Sequence, residues 1–427
     1  MATSTLIPSG DFRTSYAADT TIFPTATSRN FAIAGIVLAC FAPMLLSNYL
    51  LSIAIQIGIF AIAALGLNVL VGFTGQISIG HAAFFLFGAF TSAYISNNLP
   101  IPVFFAIPLA GVVTALVGLI FGVPAARLKG LYLVIATLAA QYILLDFFSR
   151  ADWFSGGSVP ASANPFSIFG YTLRGDRQYF YVVLAYMVLS YLLVTNLMRT
   201  RDGRALIAIR DHYLSAEIMG INLTKYRTLS FGLAAFFAGI AGGLAAINFE
   251  IANSAYLGAT QSGLVLFSAF IGGTAYFFGP ILGAILVTYL QLGLTSVTSV
   301  WQLYFGIIFI GIVMFAPGGI AGILMKHRPL IRAGTLGTVI PSYLVAAVPT
   351  LAFALGIILT IETVARFSGG DPINLLGIPF VATAPTTWVA AAVLLVGGFM
   401  VARITWKRVA EAWDRAATVA RDRGYLA

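Results

Sequence analysis

Twelve apolar runs, each free of Asp, Glu, Lys and Arg through its middle, occupy most of this 427-residue chain. They fall at about 31–46, 48–72, 77–96, 101–123, 130–148, 178–197, 228–247, 262–275, 277–296, 302–317, 340–363 and 384–402. A helix crosses the hydrocarbon core of a bilayer with about 20 apolar residues. The runs therefore predict an all-α, polytopic helical membrane protein of about 10–12 spans. Those at 31–46, 262–275 and 302–317 are short for simple spans, which predicts tilted, broken or re-entrant helices. Composition agrees, with 59% of the residues hydrophobic and 9% charged, where a soluble domain carries roughly 25% charged residues. A soluble enzyme is excluded.

Little in the chain offers catalytic or metal chemistry. Cys40 is the single cysteine and lies in an apolar run, and His81, His212 and His327 are far apart. No disulfide, metal site, catalytic group or cofactor is expected.

The net charge of +9 is a topology marker rather than a nucleic-acid footprint. Residues 1–30 are polar, rich in Ser and Thr, and read as a cytoplasmic segment rather than a cleaved signal peptide. With that end cytoplasmic, strict alternation places 19 of the 23 Lys and Arg residues on one side, leaving Arg150, Arg174, Arg177 and Arg366 outside. The positive-inside rule asks for this asymmetry, so both termini are expected in the cytoplasm. The two longest external stretches, 149–177 and 364–383, read as ordered caps or loops.

The chain has little with which to drive transport. Asp146, Glu250 and Glu362 lie near span ends, whereas proton-coupled carriers keep an ionisable residue at membrane depth. Sodium coupling through backbone carbonyls stays open. None of the four lysines, Lys129, Lys225, Lys326 and Lys407, completes a phosphate-binding loop. Energy is expected from another polypeptide, and 198–227 offers it a docking site. Within that loop Leu206, Ile209, Tyr213 and Ala216 recur at helical spacing, with Arg204, Arg210, Asp211 and Glu217 between them. Gly220 and Asn222 supply the stop. A solvated interfacial helix is the plainer reading of the same pattern.

Residues 66–90, GLNVLVGFTGQISIGHAAFFLFGAF, combine five glycines with Asn68, Thr74, Gln76, Ser78 and His81. A lipid-facing helix gains nothing from them, but a broken helix lining a cavity does. A second interrupted piece, IGGTAYFFGPILGAIL at 271–286, carries Gly272, Gly273 and Thr274. Paired Gly/Pro-interrupted segments point to a transport site. Against this, Thr74, Gln76 and Ser78 read equally as caps of a helix break, and His81 as a buried histidine bonded to a carbonyl. Gly88, Gly239, Gly242 and Gly243 read as helix-packing positions. Tyr132, Thr137 and Gln141 form a weaker candidate lining, with packing the plainer role.

Residues 66–90, VPAARLKGLYLVIATLAAQ at 123–141, GRALIAIRDHYLSAEIMGINLTKYRTLSFGLAAFFAGIAGGLAA at 203–246, IGGTAYFFGPILGAIL and FAPGGIAGI at 315–323 together resemble one family. It is the M-type inner-membrane permease of bacterial branched-chain amino acid ABC importers, and the resemblance runs over roughly 31–325. It implies a second related permease, two cytoplasmic ABC ATPase subunits and a periplasmic solute-binding protein as partners. It also implies ATP-driven import across the bacterial inner membrane, and the mechanism expected here is alternating access, the spans rocking about a small passage near 72–91 and 271–286. Residues 203–222 would then be the coupling helix, with Arg204, Arg210, Asp211, Ala216, Glu217 and Gly220 toward the ATPase. The order Ala216-Glu217 with Gly220 three residues on departs from the family's general spacing.

The same family takes in urea and short-chain amide permeases, which stay open as alternatives, with a sodium-coupled carrier behind them. Residues 326–427 fall outside the shared pattern and add two spans and an amphipathic basic tail. In that tail Trp406, Ala410, Trp413, Ala417 and Ala420 form a stripe among Lys407, Arg408, Arg415, Arg421 and Arg423. It reads as an interfacial helix on anionic membrane lipid, or as a contact for the ATPase.

Overall fold

The computed structural model describes residues 26–156, 161–168, 171–173, 175–253, 259–367, 372–375 and 378–424; most of the polar segment 1–30, and Arg174, lie outside them. The chain is an all-α, multi-pass membrane protein. Among the described residues, eight helical runs are long and apolar enough to cross a bilayer.

The helices are α1 Ala26–Leu45, α2 Asn48–Thr74, α3 His81–Asn98, α4 Val103–Ala125, α5 Leu131–Arg150, α6 Asp176–Leu197, α7 Arg201–Ile218 and α8 Leu223–Phe249. They continue with α9 Ala259–Gly272, α10 Gly279–Thr295, α11 Trp301–Phe315, α12 Gly319–Arg332, α13 Leu336–Ala365, α14 Pro385–Ala392 and α15 Gly398–Asp422. Each of the twelve predicted runs carries a helix, but the boundaries differ. The run at 77–96 becomes helical only at His81. The run at 302–317 continues through a turn into α12, and the last span runs through a π-helical turn, Val393–Gly397, straight into the basic tail.

The helices form two compact units, 26–294 with 305–322, and 295–304 with 323–424. In the first, α8 and α2 are the interior elements: 89% and 67% of their most apolar stretches are buried. Lipid is as apolar as leucine, so these helices gain contact by letting backbones approach rather than by a hydrophobic drive. Gly88 of α3 lies against the backbone of Gly239 in α8, and Gly242 against the Phe85 carbonyl. Gly118 and Gly122 of α4 meet Ala235 and Phe231. The packing role expected of Gly88, Gly239 and Gly242 is what the structure shows.

The external stretches are ordered where described. A single helical turn, Asp152–Ser155, is followed by a strand, Ala161–Ser162, paired antiparallel with Ile251–Ala252. In the second unit a hairpin pairs Pro372–Leu375 with Ile378–Val381.

That unit also revises the reading of the tail. Its inward stripe is Val409, Ala412, Ala416 and Ala420, while Ala410 is exposed. Ala416 and Trp413 pack with Leu330, Val339 and Tyr343. The Trp413 ring takes Lys326 Nζ at 5.2 Å and His327 at 5.0 Å, and Arg423 donates to the Ala333 carbonyl. The apolar stripe is therefore already covered from within the chain. Buried in the last turn of α13, Glu362 accepts from Tyr304 Oη at 3.0 Å and from Arg366 Nε at 3.0 Å.

Candidate functional site

The interruption between α2 and α3 is a built feature. Gly75 ends α2 with φ +70°, a conformation a side chain disfavours, and closes it with Gly75 N–H to Val71 O at 3.2 Å and Gln76 N–H to Leu70 O at 3.1 Å. Thr74 Oγ1 donates to Leu70 O at 2.5 Å. Gln76 Nε2 donates to Thr74 Oγ1 and to Ser230 Oγ of α8, both at 3.0 Å. Thr74 and Gln76 thus cap the break and tie it to the central helix.

The far side of the break is held just as firmly. Ile79 N–H donates to Thr137 Oγ1 at 3.2 Å. Ala82 N–H, in the first turn of α3, donates to Ser262 Oγ of α9 at 2.7 Å, and Ser262 donates on to Gln141 Oε1 at 2.8 Å. Side chains of α5 and α9 thus satisfy backbone donors that a helix N-terminus would otherwise leave open in a dry interior. Thr137 and Gln141, weighed as lining or packing residues, are fasteners of the break, while Tyr132 is exposed. Ser230 and Ser262 escaped the sequence reading. The only signal for them was a polar residue inside an apolar run.

Asn68, Ser78 and His81 are all buried. His81 stands edge-on to Phe84 at 6.1 Å, and neither of its ring nitrogens has a hydrogen-bond partner among the described residues, so the expected bond to a carbonyl is not made. The side chain of Asn68 and the hydroxyl of Ser78 have no hydrogen-bond partner among the described residues. Buried polar atoms without partners cost free energy, so such groups tend to be kept for a polar guest or for a changing conformation.

The second interrupted segment repeats the pattern. Gly273, with φ +110°, ends α9, and α10 begins six residues later at Gly279, just as α3 begins six residues after Gly75. Gly272, Gly279 and Gly283 bring α9 and α10 into backbone contact, and Gly319 sits on Gly273. Gly272 and Gly273 therefore serve close approach. The structure also joins the two segments. A methyl group at Gly72 would come within 2.5 Å of the Thr274 carbonyl, and Phe73 and Phe277 pack at 5.3 Å. A small, mostly apolar cavity of about 90 Å³ opens beside the break, between Gly80, Phe84, Thr137 and Gln141.

Below the break lies α7. Thr200 caps its start by accepting from Gly203 N–H at 3.3 Å, and Tyr226 Oη donates to Asp202 Oδ1 at 3.1 Å, pinning it to α8. Leu206, Ile209 and Ala216 are buried as a stripe. Tyr213 departs from it, because His212 leaves helical geometry (φ −155°, ψ 87°) and turns the ring toward Lys129 Nζ, 4.3 Å away. The continuous helix expected here is thus kinked. Arg204, Asp211, Glu217 and Gly220 are exposed, and Ala216 supports the helix from within. Arg210 is exposed as well, but its Nη1 reaches the bundle and donates to the Gly72 carbonyl at 2.6 Å. Beyond the kink, Leu214, Ile218 and Met219 project an apolar edge, 57%, 87% and 81% exposed.

A glycine-packed bundle with fastened breaks in its interior helices and an amphipathic helix pinned beneath them is a multi-pass membrane transport subunit. The chain belongs to the family described as the branched-chain amino acid transport system permease component, which matches residues 49–317. It is similar to the high-affinity branched-chain amino acid transport system permease protein LivM of Salmonella typhimurium, 28% identical over 72% of this chain and 77% of that one. It is also similar to a probable branched-chain amino acid transport permease protein LivH of Methanocaldococcus jannaschii, 29% identical over 63% of this chain and 90% of the other. The ribose import permease protein RbsC of Haemophilus influenzae is 25% identical over 60% and 80% respectively. No solved structure matches the chain.

Proposed function

We propose that this chain is the M-type permease subunit of a bacterial ATP-driven importer, passing branched-chain amino acids inward across the inner membrane. The observation that carries the reading is the apolar edge of Leu214, Ile218 and Met219, presented with Glu217 and Gly220 on a helix fixed to the core. Three large apolar side chains held out from a charged loop fit a partner's groove. The partner is an ABC ATPase, present in two copies beneath this chain and a second, related permease. A periplasmic binding protein delivers the solute to the opposite face, and both termini are cytoplasmic.

Residues 31–325 form the importer domain in this reading, and 326–427 an extension whose outward basic face meets anionic lipid headgroups. The passage runs where the two interrupted segments meet, past Asn68, Ser78 and Thr274. The described spans carry no charged side chain through their middles, and Arg210, which reaches Gly72 from α7, spends its charge on that carbonyl. This suits a net-neutral zwitterion, which would lose little by leaving one set of hydrogen bonds for another but would be repelled or trapped by a fixed charge.

The test is reconstitution in proteoliposomes with a second permease, ATPase subunits and a binding protein of the branched-chain amino acid importer type from the same genome. ATP-dependent uptake of labelled leucine, abolished by leaving out either the ATPase or the binding protein, is the expected result. Uptake by this chain alone on a sodium gradient would overturn the reading.

A further inference from the structure

Arg210 does not do what its place in an amphipathic pattern suggests. It belongs by sequence to the charged face of α7 and stays partly exposed there, yet its guanidinium reaches the Gly72 carbonyl at 2.6 Å. That carbonyl lies in the last turn of α2. The carbonyls of Leu70 and Val71 are taken by Gln76 and Gly75, so Gly72 is among those left without an in-helix partner. A cation there satisfies the carbonyl and opposes the negative end of the helix dipole. The stem of Arg210 also runs under Gly75, where an added methyl would lie 3.4 Å from its Cγ. A single side chain thus grips both the last turn of α2 and the left-handed residue that begins the break.

What lies beyond Gly72 gives the contact a consequence. Asn68 folds over it, and the Thr274 carbonyl of the second interrupted segment closes on it from another direction. The turn at Gly72 is therefore the junction of three parts: α7 through Arg210, the first break, and the second. Asp211 Oδ1 stands 3.4 Å from the Nε of the same guanidinium, so Arg210 is shared between the Gly72 carbonyl and its own neighbour in α7. The kink at His212 follows immediately, separating the Arg210 half of α7 from the half that bears Leu214, Ile218 and Met219. A swing of that outer half thus pivots next to Arg210.

We propose that Arg210 is the positioning residue that transmits movement of α7 to the interrupted helices, by holding the Gly72 carbonyl in this arrangement and letting it go, to rest on Asp211 alone, when the outer half of α7 swings. The proposal rests on the reading of α7 as the ATPase-docking element. Its test starts only once the wild-type reconstituted complex shows ATP-dependent uptake, so failure of that reading is seen first and separately.

Arg210→Gln and Arg210→Lys are compared with wild type in the full complex, measuring ATP hydrolysis, co-purification of the ATPase subunits and uptake per ATP. Loss of a charge-assisted bond at a coupling point predicts that Arg210→Gln lowers uptake per ATP by about tenfold or more while assembly and hydrolysis persist. Arg210→Lys, which keeps a cationic donor, recovers part of the loss. Unchanged uptake per ATP in Arg210→Gln would overturn the proposal. Should that variant not assemble, hydrogen exchange on the wild-type complex decides. ATP binding is expected to change exchange in 70–80 together with 201–218, and a change confined to 201–218 would overturn it.

Discussion

At the scale of single residues, the helix contacts and breaks of this protein depend on very small groups and on side chains that bond from one helix to another. Gly242 has no room for a methyl beside the Phe85 carbonyl, so Gly242→Ala must push α3 and α8 apart. The expected cost is about 1–3 kcal/mol, read as a lower apparent Tm of the purified protein in detergent. Gln76 makes two hydrogen bonds at the break, to Thr74 and to Ser230. Gln76→Ala leaves Ser230 without that donor in a dry interior, an expected loss of about 1–3 kcal/mol. The same assay checks it. A Gln76→Ala variant as stable as wild type would mean that the break is not held by these bonds.

At the scale of elements, α7 has separable inner and outer faces, because Leu206, Ile209 and Ala216 are spent on the bundle while Leu214, Ile218 and Met219 are not. Ile218→Asp with Met219→Asp should leave Tm within a degree or two of wild type, since neither side chain has packing to lose. Placing two charges on an apolar contact should reduce co-purification of the ATPase by tenfold or more. A matched fall in Tm and co-purification would mean the surface is structural instead. The π-helical turn at Val393–Gly397 is an element of another kind. It lets α14 and α15 run as one helix while Gly356 and Gly398 bring that helix against α13.

At the scale of the whole molecule, the second unit is closed by a buried carboxylate. Glu362 accepts from Tyr304 and Arg366, and Arg366 also donates to the Val297 carbonyl at 3.2 Å. Glu362→Ala strands two donors. Arg366 is partly exposed, so the expected cost sits toward the low end of the about 3–5 kcal/mol of a broken buried pair. A double-mutant cycle of Glu362→Ala with Arg366→Ala, followed by thermal unfolding, should show coupling above about 0.5 kcal/mol. Additive effects would reduce the pair to a surface contact.

The sequence alone determined the membrane class, the helices and the two places where they break. Apolar length and glycine placement act locally, and a bilayer leaves few other ways to satisfy a backbone. It also pointed to α7 through the spacing of Leu206, Ile209 and Ala216. Only the tertiary structure decided what the polar residues do. Ser230 and Ser262 meet the break from more than 150 residues away, Arg210 reaches the Gly72 carbonyl, and the tail's stripe is covered by α12 and α13. Hydrogen bonds are short and directional. Which donor finds which acceptor in a dry core depends on helix placement, which no run of local spacing encodes.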